Sequence, residues 1–108
     1  MFQRSPSTTS SRSSAAAYQA GLAAFETGRY GEAIGLLEPI ARERGLASTL
    51  ARFYLGQAHL KLGVQQLNGT EYGAAAKSFL SAREINPDAT DLSRYLARCH
   101  AALRQFDL

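Results

Sequence analysis

From Ala15 onward, small and large apolar residues recur at spacings of three and four. Ala17, Ala20, Gly21, Ala24 and Phe25 mark one face of a first helix. Gly28 in "ETGRY" stops it, because glycine takes the left-handed backbone that closes a helix at no steric cost. Ala33, Ile34, Leu37, Ile40 and Ala41 mark a second helix. Pro39 falls inside it, lacks a backbone donor and pushes on the Gly35 carbonyl, a cost of about 3 kcal/mol. One kinked helix is expected there. Ser48 or Thr49 can cap a third helix carrying Leu50, Phe53, Tyr54, Leu55, Ala58, His59 and Leu62. Thr70 can cap a fourth, with Tyr72, Ala75, Ala76, Phe79, Ala82 and Ile85 inward, and Pro87 ends it. Asp88 or Thr90 opens a fifth, whose apolar side is Leu92, Tyr95, Leu96, Cys99, His100 and Leu103.

The segments echo one another. Ala20-Gly21 lines up with Leu55-Gly56, and Leu96-Ala97 takes the same place in the fifth helix. Tyr30, Ala33, Leu37 and Ile40 share their spacing with Tyr72, Ala75, Phe79 and Ala82. In this alignment Gly63 stands where Gly28 stands, and the second unit holds seven extra residues before its tyrosine. Seven residues are about two helical turns and bring a face back within about 20°. The third helix is therefore expected to run to about Leu67, turn at Asn68-Gly69, and project as a spur over 64–70. A loop over 64–70 is the alternative.

A period near 34 residues with these small and large positions resembles the tetratricopeptide repeat, a helix–turn–helix unit. The likeness covers about residues 14–108. It implies an all-α, right-handed solenoid of antiparallel helix pairs, with about five helices. Repeat one would span about 14–47, repeat two about 49–89, and a closing helix about 90–105. There are departures: no tryptophan is present, Ala24 and His59 stand where tyrosine is usual, and Gly45 replaces the closing proline.

The resemblance also implies a function, the binding of another protein's peptide or helix in a concave groove, in an adaptor or assembly role. By alignment the groove would be lined by Tyr18, Leu22 and Phe25, then Phe53, Gln57, Leu60 and Lys61, then Arg94 and Arg98. Arg94 and Arg98 share one helix face and could pair with carboxylates of an acidic ligand. Tyr18 and Leu22 occupy places where a chaperone-tail clamp needs lysine and asparagine, so that specialised function is not expected. Two further readings are self-association through an open C-terminal end, with Phe106 and Leu108 as contacts, and a piece of a longer repeat protein.

Composition narrows the field. With 45% hydrophobic and 19% charged residues the chain is globular in character, and no apolar run suffices to span a membrane. "MFQRSPSTTSSRSS" lacks large apolar residues and is expected to be disordered over 1–13. The net charge of +3 owes much to this segment. Arg4 and Arg12 precede any acid, leaving ten Lys/Arg against nine Asp/Glu from Ser14 on. That is no footprint for nucleic acid, although Arg42, Arg44 and Arg52 leave a salt-sensitive contact with RNA or membrane as a minor alternative. Cytoplasmic residence is expected. The Arg/Ser-rich start, free of acid, leaves organelle import as the other option.

No catalytic or metal site is expected. Cys99, His59 and His100 are the candidate ligands, and their spacing fits no zinc motif. The two histidines fall on matching helix positions, which points to packing. "GRYGEAIG" lacks the Gly-Lys-Ser/Thr ending of a phosphate loop. Glu26, Glu32, Glu38, Glu43 and Glu84 are scattered on polar faces. The expectation is a non-enzymatic protein with no cofactor.

Overall fold

The computed structural model describes residues 6–89 and 91–106, with side chains over 15–89 and 91–105. It is all-α. Helices α1 (Pro6–Glu26), α2 (Tyr30–Ala41), α3 (Leu46–Asn68), α4 (Tyr72–Ile85) and α5 (Leu92–Phe106) follow one another, and each packs on the next. In addition α3 touches α1 and α5, while α2 and α4 do not meet. No helix among the described residues is long and apolar enough to cross a membrane.

Two apolar cores result. Ala24, Ala33, Leu37, Ile40, Ala41, Ala51, Leu55 and Ala58 form the first. Leu67, Ala75, Ala76, Phe79, Ala82, Leu92, Leu96 and Cys99 form the second. Small residues let the helices approach. A methyl group at Gly21 would lie 2.7 Å from Leu37 Cδ2, and one at Gly63 would lie 2.6 Å from the Phe79 ring. Phe79 is fully buried and stacked on Tyr95, with centroids 4.9 Å apart and rings 5° from parallel. At the other core Phe25 meets Tyr30 and Tyr54 edge-on, at 5.6 and 5.7 Å.

The two hairpins α1–α2 and α3–α4 repeat each other at an offset of 42 residues. Gly28 has φ 82° and Thr70 has φ 62°. Arg29 and Glu71, which follow them, sit at (−89°, 70°) and (−90°, 70°). The Arg29 N–H donates to the Ala24 carbonyl and the Glu71 N–H to the Gln66 carbonyl, both at 2.8 Å. The Gly28 N–H reaches the Phe25 carbonyl at 3.2 Å, and the Thr70 N–H reaches that of Leu67 at 3.1 Å. These paired bonds satisfy carbonyls that a helix end leaves open, and they are the Schellman closure. Glycine is the usual occupant of its left-handed position, and Thr70 stands there instead.

This register corrects the sequence-based one. Gly63, not Gly56, is the counterpart of Gly21, and Thr70 is the counterpart of Gly28. Residues 64–70 are no insert and no spur: Val64 and Leu67 pack in the second core, and 69–71 form the same short turn as 27–29. The extra length lies at the start of α3, which runs 23 residues beside the 12 of α2 and the 14 of α4. Gly56 meets Ile85 and Asn86 at the end of α4.

The expected caps also differ. α3 starts at Leu46 after Gly45, at φ 117°, and the Ser48 hydroxyl donates back to the Gly45 carbonyl at 2.7 Å. Glu71 precedes α4, so Thr70 does not cap it. Thr90 lies outside the described residues, and α5 begins at Leu92. α2 is a single helix that continues two residues past Pro39. Helix α1 begins at Pro6, inside the segment expected to be disordered. Proline suits a first helical position because its missing donor has no partner there anyway. Residues 1–5 of that segment lie outside the described residues.

Candidate functional site

The residues proposed for a groove separate into two groups. Tyr18 and Phe25 are half-buried against the first core, and Leu60 is packed against the second. Leu22 and Gln57 are half-buried. Tyr18, Phe25 and Leu60 are thus engaged in holding helices together. Phe53, Lys61, Arg94 and Arg98 are exposed. Arg94 and Arg98 pair with no carboxylate among the described residues, whereas Arg29 reaches Glu32 at 3.2 Å and Arg42 reaches Glu38 at 3.9 Å.

Phe53 does not stand alone. Leu46 is 76% exposed, Leu50 42% and Phe53 53%, all on one side of the N-terminal half of α3. Leu46, Phe53, Leu60 and Leu67 lie seven residues apart and thus on one line along the helix. The last two are packed in the second core, while the first two lie open to solvent. The line extends beyond α4 because α3 does. Where α4 ends, Thr49, Arg52, Phe53, Ile85 and Asn86 line a depression of about 210 Å³. Its one charged lining group is Arg52, whose guanidinium donates to the Ala41 carbonyl at 3.0 Å and so closes the end of α2. The sequence singles out Phe53 but not Leu46, although the seven-residue spacing links the two.

A second concavity of about 420 Å³ opens where α2 and α4 stay apart over α3. Glu38, Ala41 and Arg42 form one wall, and Ser81, Glu84 and Ile85 the other. Arg52, Leu55 and His59 form the floor. Burial pushes the pKa of His59 below its ordinary value, and the Glu38 carboxylate partly opposes this. His59 therefore faces a polar cleft and is not a plain packing residue, and His100 is exposed. Cys99 is fully buried, and burial raises its pKa against a smaller opposing effect of Arg98. Among the described residues, no three His, Cys, Asp or Glu side chains gather in a way that could hold a metal ion.

The site is thus an apolar ledge on α3 with a cation at its edge, next to a charged cleft. No protein-family model matches the chain, and no curated protein or solved structure resembles it significantly.

Proposed function

We propose that this chain is a non-enzymatic protein-binding module, a short right-handed solenoid of tetratricopeptide-like hairpins that holds a peptide or helix of a partner protein in an adaptor or assembly role. The supporting observation is the gathering of Leu46, Leu50 and Phe53 on one helix face. Single exposed apolar residues are ordinary on any surface, but a contiguous patch marks an interaction site. With Gly63 as the partner of Gly21, the small and large positions of both hairpins fall in one order, Gly21, Ala33, Leu37 beside Gly63, Ala75, Phe79, although 42 residues part them where the resemblance has a period near 34. Pro87 and Ala97 then follow at the places that resemblance assigns.

The test is affinity capture from the native host extract, comparing wild type with Leu50→Ser/Phe53→Ser after circular dichroism melts are matched. A saturable partner that wild type retains and the variant loses supports the reading. Capture of nothing, or equal capture by both, refutes it. Self-association through α5 is the weaker alternative. Its outward side carries Arg94, Arg98 and Arg104 and no acid, so two copies would bring like charges together.

A further inference from the structure

We propose that the ledge formed by Leu46, Leu50 and Phe53 seats one amphipathic α-helix of a partner protein. That helix lies along α3 in continuation of α4, with a large apolar side chain in the depression between Phe53 and Ile85 and a carboxylate beside Arg52. This deepens the protein-binding reading and rests on it.

Three observations fix the occupant. The first is continuity. The line Leu46–Phe53–Leu60–Leu67 is one surface of α3, and its lower half already receives helices, since Leu60 and Leu67 belong to the core that α4 and α5 complete. The upper half has the same side-chain type and the same spacing, so a ridge of helical side chains fits it as one fits below. The second is the end of α4. Ile85 closes α4 against Gly56, and the depression begins there, lined by Thr49, Phe53, Ile85 and Asn86. At about 210 Å³ it accommodates one large side chain, the kind of buried anchor that dominates interface energies. The third is charge. Arg52 is the only charged group in that lining, and Arg44 stands two residues before Leu46. A carboxylate on the flank of the incoming helix would meet a positive edge, and a lysine there would be repelled.

A displayed library of 16-residue helical peptides, with randomised apolar and charged faces, would be selected on the full chain at physiological salt. The expected winners carry large apolar residues at i, i+4 and i+7 with Asp or Glu on the flank, and bind Leu50→Ser/Phe53→Ser at least tenfold more weakly. Arg52→Glu should shift the flank preference toward Lys. Because Leu50 and Phe53 are exposed, the double variant is expected to fold, and Leu46→Ser gives the same reading should it not. Winners that are extended or proline-rich, or that bind the variant as well as wild type, overturn the proposal. Winners that instead lose binding on Arg94→Glu/Arg98→Glu move the contact to the α1–α3–α5 side, sinking the ledge while the module reading stands. Selection of nothing sinks both. Concentration-dependent dimerisation abolished by Phe53→Ser would make a second copy the occupant and overturn the partner assignment.

Discussion

Thr70 offers the sharpest test of the repeat. It occupies the left-handed closing position with φ 62°, where its counterpart Gly28 has φ 82°. A side chain there brings Cβ against the following carbonyl and costs about 1–2 kcal/mol, and a β-branched residue is least suited to it. Replacing Thr70 with glycine removes that strain. It also loses an exposed hydroxyl bond to the neighbouring Gly69 carbonyl, a contact worth little in water, and adds glycine's extra freedom to the unfolded chain. The balance is a stabilisation of about 1 kcal/mol, or about 4–8 °C in Tm for a domain of this size. The reciprocal change isolates the backbone contribution. A Cβ at Gly28 would meet nothing within 4 Å, so Gly28→Thr has no clash to confound it and should destabilise by about 1–2 kcal/mol. Both are read from urea unfolding midpoints at constant m. A neutral or destabilising Thr70→Gly would refute the claim that the two turns share one geometry.

Other outcomes follow from the packing and the titrating groups. Gly63→Ala drives a methyl into the Phe79 ring, which Tyr95 backs, so it should destabilise by about 1–3 kcal/mol despite alanine's better helix propensity; chemical denaturation reads it. His59 has a lowered folded pKa, so the unfolded chain binds more protons as pH falls through the ordinary value of 6.5. Stability should therefore be full above that value and decline below it until the folded pKa is passed. The decline should shrink in His59→Gln, as urea midpoints across pH would show. Cys99, buried and with a raised pKa, should react with a thiol reagent at the rate of opening; prompt labelling of the native protein would contradict its burial.

The helices were legible because small and large apolar residues alternate at helical spacing and the stops are explicit at Gly28 and Pro87. Register was not. The α3 face repeats every seven residues, so Gly56 and Gly63 look alike as the place where the next helix approaches. One distance separates them: Gly63 precedes Tyr72 by the same nine residues that part Gly21 from Tyr30. The start of α1 was hidden for another reason. A serine-rich stretch carries no apolar period, and helix there continues from the apolar part behind it. Which of the groove residues lie open, as Phe53 does, and which are packed, as Leu60 is, was not legible, because alignment assigns a face whereas burial depends on how far α3 outreaches α4.

α3 is the shared support of the molecule, with α2 on one side of its Arg52–His59 stretch and α4 on the other. Among the described residues α2 and α4 do not meet, and Ile85 at the end of α4 reaches over Gly56 to the first core. Load passed from one hairpin to the other must therefore cross the packed faces of α3. Because both cores draw on that one helix, opening either hairpin uncovers a face of the other, and the two should yield together as one mechanical event.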